Sequence, residues 1–540
     1  MKHIPVFTIL LLILQSHLLF SQTWEKIYFA NKRSIPHSVI ESYDKGYIIA
    51  GEFNKSGGLP IGGYVLKTNI NGDEIWHKTI GSQIESTAVF DINKTIENCF
   101  ILTGVTGKLS PYYNPFIMKL NSCGENEWCR IYSSHETEWS SWGQSVHPVP
   151  GGYIALIWGY GHDIQQDRIW LFRLDEGGDL LWTQCYAKSD TMIDNEESAT
   201  MIVTPDSHYL ITGDCYYPDP IDPLYVILRP FLIKVDSTGA PEWELPWRSV
   251  MGESYAGQSY KSITDNAGMI YSSGRHIVLE GSNQGDKPAI IRTDNNGNEL
   301  SYKDLIPGSV LGVTNTINWF ADSTIVLGEG WLNTYPGGDE YVGVVKVDRF
   351  GNIITSKQLF LSPSLFNSAA TTFDNKIIMV AGIPTNHWTS HAYKLNSDLE
   401  YDSIYTRPFV YDSLCDHPIP SDTIDLDCVV VDVEEHFNQT EENNLKVYPN
   451  PASSVIQIEI PEKIILHPKT ISFNVTTVHY QIRKARLEIY DLFGKKMFDK
   501  ELQPSEKKLE LNVSSWPKGM YVIRLVYNNE TISGKKILVE

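Results

Sequence analysis

A run of apolar residues closing on glycine recurs through the middle of the chain. It reads "YIIAG" to Gly51, "FILTG" to Gly104, "YLITG" to Gly213, "IYSSG" to Gly274, "TIVLG" to Gly328 and "IMVAG" to Gly382, with "YIALI" from Tyr153 in third place and no glycine. A second run follows each at a variable distance and breaks on a polar turn: "YVLKTNINGDEIW", "FIMKLNSCGENEW", "WLFRLDEGGDLLW", "FLIKVDSTGAPEW", "AIIRTDNNGNELS", "VGVVKVDRFGNIIT" and "HAYKLNSDLEYDS". The turn glycines, Gly72, Gly124, Gly178, Gly239, Gly297 and Gly351, recur at about fifty to sixty residues, the spacing of one structural unit per repeat. Asp or Asn at the start of such a turn bonds its own backbone, and glycine supplies positive φ. Each period therefore predicts four strands: one beginning near a serine (Ser38, Ser145, Ser198, Ser259, Ser368), the glycine-ended strand, a third, and a fourth beyond the tight turn. Trp76, Trp128, Trp182 and Trp243 each fall four residues after the turn glycine. No long helical period follows residue 21.

A small twisted sheet cannot bury both faces alone, and radial repetition solves that problem. The expected fold is all-β: a β-propeller of about seven four-stranded blades over 22–410, with six or eight left open. "TWEKIYFA" places Trp24 and Lys26 like Trp76 and Lys78 and predicts a strand completing the last blade, in competition with "LEYDSIYT". The repeat Asp-x-x-Gly-x-x-x-Trp resembles the tryptophan-docking repeat of quinoprotein propellers and the sialidase Asp-box, each with spacing altered by one residue. Both resemblances imply blade packing and no catalysis.

Charge narrows the partners. With 44 basic and 65 acidic residues the net charge is −21, so phosphate backbones and anionic lipid repel the chain and nucleic acid is excluded as a partner. Residues 1–21 read as a signal peptide: Lys2, then an apolar core from Val6 to Leu14, then Ser21 before Gln22. That core spans roughly 14 Å as a helix, against about 30 Å of hydrocarbon. No later run reaches the length of a transmembrane helix, so no anchor is expected in the mature chain. Export permits disulfides. Cys415 and Cys428 bracket "CDHPIPSDTIDLDC" and are expected to pair, Cys123 and Cys129 flank one tight turn and are able to pair across it, and Cys99, Cys185 and Cys215 leave an odd thiol, expected to be buried.

Second-to-third-strand loops of a propeller emerge on one face, and here they vary in length and carry aromatics: Tyr112 and Tyr113, Tyr216 and Tyr217, Trp331 and Tyr335, and Trp388. Rigid aromatic rings suit sugar rings or protein hot spots; packing among neighbouring loops is the structural alternative. Catalytic signals are poor. "GESYAG" (252–257) lacks the second glycine of a nucleophile elbow, and His387 and His391 have metal-pair spacing only on a helix. Asp219 with Asp222 would serve glycoside hydrolysis only if they face each other, and the "DNNGNE" turn at 294–299 lacks calcium-loop spacing. No catalytic residue, metal or cofactor is assigned.

After residue 410 an acidic, proline-punctuated stretch, 411–444, reads as a linker. It and the residues just before it hold three triplets, at Asp402, Asp412 and Asp422, that resemble the O-glycosylation signal of Bacteroidetes. From 445 to 540 "LKVYPNPASSVIQIEI", "ARLEIYDLFGKKMFDKEL", "KKLELNVSSWPKGMYVIRLVYNN" and "TISGKKILVE" alternate apolar and polar and predict a small antiparallel β-sandwich. In this order at the C-terminus they resemble the type A sorting domain of the type IX secretion system of Bacteroidetes, with Tyr448, Pro449, Asn450, Pro451, Gly494, Lys518, Gly519 and Tyr521 in the matching blocks. The stretch 461–484 is longer than the usual connection. The resemblance implies passage through the periplasm to the outer cell surface or beyond, with the secretion machinery and a sortase-like protease as partners. The propeller is then cargo: a glycan- or protein-binding adhesion module, with a glycan-active hydrolase or lyase, or a structural surface protein, as alternatives.

Overall fold

The computed structural model describes residues 24–540 apart from 55–60, 83, 109–111, 135–138, 162–165, 187–198, 219–225, 247–255, 279–284, 307–310, 321–322, 333–338, 363, 365, 385, 434–444, 461–484, 492–494, 503–507 and 528–529. The signal peptide assigned to 1–21 lies outside the described residues. The chain divides into two compact units, Met1–Glu435 and His436–Glu540.

Among the described residues the first unit forms seven antiparallel sheets, a β-propeller, numbered here in chain order. Sheet I holds Ser34–Glu41, Tyr47–Asn54, Ile61–Thr68 and Glu74–Ile80; sheet II holds Thr87–Lys94, Phe100–Thr106, Asn114–Leu120 and Asn126–Ser134; sheet III holds Trp139–Val149, Gly152–Gly161, Gln166–Leu174 and Leu180–Tyr186. Sheet IV comprises Thr200–Val203, Tyr209–Pro218, Val226–Val235 and Pro241–Pro246; sheet V, Ala256–Thr264, Ile270–Val278, Gly285–Thr293 and Glu299–Asp304; sheet VI, Leu311–Trp319, Ile325–Leu332, Glu340–Val347 and Ile353–Leu361. Sheet VII is Phe366–Thr371, Ile377–Pro384 and Trp388–Leu395, completed by the N-terminal strand Glu25–Tyr28. Glu25 pairs with Tyr393 and Tyr28 with Ser390, whereas Tyr401 makes only one bridge, to Leu395. "TWEKIYFA" thus wins the contest with "LEYDSIYT" and closes the ring. Each first strand packs on the preceding sheet, and that of sheet I packs on sheet VII.

Two devices explain the repeat. Each tight-turn glycine has positive φ, and Gly72, Gly124, Gly178 and Gly239 also carry the tryptophan of the preceding sheet, whereas Gly351 meets Ile290 and Lys303 of sheet V. A Cβ on Gly124 would lie 2.8 Å from the Trp76 ring, and one on Gly178 2.6 Å from Trp128. The indole N–H groups of Trp24, Trp128 and Trp243 donate to Ile70, Glu176 and Asn295, each two residues before the next glycine, and Tyr28, Tyr132 and Tyr186 donate to the carbonyls of Gly72, Gly178 and Gly239.

The second device works at the ring axis, where the innermost strands would leave open edges. A β-bulge interrupts each innermost strand except the short Thr200–Val203, between Pro36 and Ser38, Val89 and Asp91, Gly143 and Ser145, Ser259 and Ser262, Thr314 and Thr316, and Phe366 and Ser368. Beside the bulges, side chains bond across to the next innermost strand: Ser38 to Asp91, Asp91 and Ser145 from the amides of Val146 and Met201, Thr200 to the Tyr260 carbonyl, Asn318 to Ala369, Asn367 to Pro36, and Ser368 from the amide of Val39. Between sheets V and VI the Thr314 hydroxyl bonds instead the backbone of Gly274, on the second strand of sheet V.

The stretch expected as a linker from 411 is instead part of the first unit. Asp422–Ile424 lies parallel on Lys78–Ile80 at the outer edge of sheet I, and Val429–Val433 parallel on Arg130–Ser134 at that of sheet II. Leu426 is buried between the two sheets. The expected Cys415–Cys428 bridge is replaced by Cys123–Cys415 and Cys129–Cys428, with Cα atoms 5.7 and 4.6 Å apart. The reason is packing: once the segment runs along the blade edges, each of its cysteines meets one from the turn and strand that frame "CGENEWC". Ser403, Ser413 and Thr423, the hydroxyl residues of the three triplets, are exposed.

The second unit has a three-stranded sheet (Lys446–Tyr448, Val455–Glu459, Lys508–Asn512) and a four-stranded one (Lys496–Glu501, Ala485–Asp491, Gly519–Tyr527, Glu530–Val539) around one core that includes Ile456, Ile458, Leu487, Ile489, Ile523 and Val539.

Candidate functional site

In each propeller sheet the second-to-third-strand connection leaves from the end opposite the tight glycine turn, so the sequence-predicted aromatics belong to one loop-rich face. Tyr113 is 42% exposed, and its backbone is fixed by the Ser141 amide donating to its carbonyl at 2.9 Å. Its ring centroid lies 6.2 Å from that of half-buried Trp142, which in turn packs at 4.6 Å on buried Trp158. Tyr112 is half-buried beside it. Trp331, half-buried at the end of its sheet VI strand, stacks on Tyr341 at 5.5 Å with 23° between the rings. Trp388 is half-buried at the start of its sheet VII strand. Tyr216 and Tyr217 continue the sheet IV strand through backbone pairing with Leu228 and Ile227, while Tyr335 lies outside the described residues. Tyr113 thus precedes a strand of sheet II, while Trp331 and Trp388 stand on sheets VI and VII.

The weak chemical candidates separate. His387 bonds the Ala30 carbonyl, whereas His391 is buried between Thr389 and Tyr393. Asp294 accepts the amides of Asn296 and Asn298 as an ordinary turn residue. Ser254, Asp219 and Asp222 lie outside the described residues. The buried lysines Lys67, Lys234 and Lys394 neutralise Asp44, Asp206 and Asp374 at first-to-second-strand turns, which makes them structural.

Sequence reading missed the loop-rich end of sheet V. There His276 pairs in register with Lys287, and Ala289 with Gly274 and Asp304, so these side chains share one flank. Tyr302 joins them and packs with Leu210 and Leu232 of sheet IV. His276 Nδ1 lies 3.0 Å from Asp304 Oδ1; a carboxylate only accepts, so this nitrogen is the donor. The Tyr302 ring meets the imidazole edge-on at 5.0 Å, and its hydroxyl donates to the Arg275 carbonyl at 2.5 Å. Burial, reinforced by Asp304, Glu299 and Tyr260, holds the phenol well above its ordinary pKa despite Arg275. On the opposite flank Arg275 holds Asp286 at 2.5 Å. The available signal was "GRH": a guanidinium and an imidazole directly after the strand glycine, where "YIIAGEF", "FILTGVT" and "IMVAGIP" carry neither.

Lys261, at the bulge of the innermost sheet V strand, reaches past sheet VI to the Asn367 carbonyl. Burial lowers its pKa, with Asp91 opposing. Among the described residues no group of three or more His, Cys, Asp or Glu side chains is arranged to hold a metal.

In the second unit the prolines and asparagine of the sorting blocks have visible work. Asn450 donates to the Lys536 carbonyl at 3.0 Å and accepts from the Leu538 amide at 2.9 Å, and Ala452 bonds the same strand. The first block is thereby tied to the last. Tyr521 is buried, and its hydroxyl donates to the Pro517 carbonyl. Tyr448, Pro449, Pro451 and Lys518 are exposed and Gly519 half-buried; Gly494 lies outside the described residues.

The molecule is thus an exported all-β protein: a propeller followed by a C-terminal transport domain. Residues 446–540 match the secretion system C-terminal sorting domain, and the protein is a cargo of type IX secretion, delivered to the cell surface or outside. No curated protein matches the chain. Among solved structures it is similar to an ulvan lyase of a polysaccharide lyase family, bound to -[GlcA(1-4)Rha3S]- (TM-score 0.45, 9% identity, 69% of this chain and 96% of that one). It is also similar to Drosophila Semaphorin 1a extracellular domains 1–2 (TM-score 0.36, 6% identity, 72% and 98%), and to a glycosyl hydrolase from Bacteroides ovatus (TM-score 0.28, 12% identity, 48% and 85%). No helix among the described residues is long and apolar enough to cross a membrane.

Proposed function

We propose that the propeller is a binding module that, once exported, engages a glycan or a surface protein through its loop-rich face. The observation that carries this reading is the pairing of rigid aromatics there, Tyr113 with Trp142 and Trp331 with Tyr341. Trp142, Trp331 and Tyr341 are mounted on strands and Tyr113 directly precedes one; each pair combines flat apolar surface with polar ring atoms, the composition of carbohydrate platforms and protein hot spots. Ordering such rings costs little entropy, since the strands already hold them.

The test is a glycan array and a panel of cell-surface proteins probed with the secreted chain. A ligand should be found, and Trp331→Ala or Tyr113→Ala should weaken it by roughly tenfold or more, the usual cost of losing a hot-spot aromatic. Absence of any ligand, or binding indifferent to both substitutions, would overturn the proposal.

A further inference from the structure

We infer that the flank of sheet V facing sheet IV is an acid–base site that cleaves a uronic acid polymer by β-elimination. This is a catalytic activity, separate from the aromatic binding surface. The argument begins with what one flank of one sheet gathers near the loop-rich end: an imidazole oriented by a carboxylate, a phenol, and an ammonium group. His276 Nδ1 donates to Asp304 at 3.0 Å, so in the neutral imidazole Nε2 is the base. Tyr302 lies 5.0 Å away across the ring planes and carries a proton to give. Lys287, directly opposite His276 in the strand register, is 5% exposed, and among the described residues no hydrogen bond or ion pair engages its ammonium group. A buried cation left in that state is costly to keep unless an anion joins it. A chain of net charge −21 repels polyanions at long range, so an acidic ligand needs a local cation of this kind.

Hydrolysis fits poorly, because it needs two carboxyl groups facing one glycosidic bond, and the one carboxylate of this cluster, Asp304, is engaged by the imidazole. Elimination needs a base, an acid and a cation. Lys287 would pair with the substrate carboxylate and so acidify the hydrogen on the adjacent ring carbon. His276 Nε2 takes that proton. The C–H electron pair forms a carbon–carbon double bond to the neighbouring ring carbon as the bond from that carbon to the glycosidic oxygen breaks. The departing oxygen takes the Tyr302 phenolic proton, and the imidazolium then returns its proton to the phenolate through solvent. The products are a shortened chain and an unsaturated uronide, with no oxidant or reductant required. His276 and Tyr302 are the catalytic residues; Asp304 is a positioning residue.

The experiment incubates the secreted chain with polymers of galacturonate, glucuronate and mannuronate and follows the ultraviolet absorbance of the conjugated double bond. At least one polymer should be cleaved. His276→Gln and Tyr302→Phe should each lower kcat by roughly 100-fold or more, with unchanged far-ultraviolet circular dichroism, and Lys287→Met should raise KM. Asp304→Asn should lower kcat at constant KM, with partial rescue by Asp304→Glu. Cleavage of none of the three polymers overturns the inference, as does full activity in folded His276→Gln. Binding of a polymer without cleavage also overturns it while leaving the proposed binding function in place.

Discussion

Glu329 shows what one residue can reveal within a repeat. In register it occupies the position of Gly51, Gly104, Gly213 and Gly274, and it faces Gly343, where sheets I, II and IV place Tyr64, Phe116 and Phe231 opposite the glycine. Large and small have changed places in the register, and the ring over Gly343 is that of Trp331. Glu329 is 1% exposed, among the described residues its Oε2 has no hydrogen-bond partner, and burial raises its pKa to about 8. An unfolded glutamate ionises near 4.3. Below that pH both states hold the proton and no penalty exists. As pH rises towards 8 the unfolded chain releases its proton while the folded one keeps it, so stability falls by up to about 1.4 kcal/mol per unit; above 8 the loss levels off. Glu329→Gln should therefore match the parent at pH 4 and exceed it by on the order of a few kcal/mol at pH 8. Denaturant titrations across that range decide the matter, and parallel pH profiles would refute it. The glycine and tryptophan periods were legible because they recur; Glu329 and the His276 cluster were not, since each departs from the repeat once and only register shows what faces it.

At the scale of elements, strands and tight turns could be read from alternation and turn chemistry, and the recurring serines marked the innermost strands. Their purpose could not be read. Ser38, Ser145 and Ser368 bond neighbours more than fifty residues away, and a bulge depends on two strands at once. The stretch after residue 410 misled for a related reason. Its acidity and prolines resemble a solvated linker, yet Asp422–Ile424 and Val429–Val433 are edge strands whose partners lie some 300 residues earlier, beyond any local pattern. Serine at both Cys415 and Cys428 should cost about 2–5 kcal/mol, the usual range for removing disulfides from a secreted domain. Thermal melts of the double variant, compared with the parent under reducing conditions, check this. A variant melting with the oxidised parent would mean that the parallel strands alone hold the segment.

At the scale of the whole molecule the chain assigns transport and cargo to different units. The sorting blocks were recognisable because each is short and contiguous, and the Asn450 bridge to the final strand ties the first block to the last. A chain ending at residue 435 should fold its propeller and accumulate in the periplasm. Fractionation with a circular dichroism spectrum of the retained protein tests both halves, and normal delivery of the truncated chain would contradict a transport role for 446–540.

The parallel seating of Val429–Val433 on Arg130–Ser134 also has a mechanical meaning. A pull on the chain beyond residue 433 runs along the strand, so its five residue pairs would be loaded together in shear instead of opening one by one. Just behind them stands the Cys129–Cys428 bond. Traction applied to the chain beyond residue 433 would thus meet sheet II first, through these pairs and the disulfide.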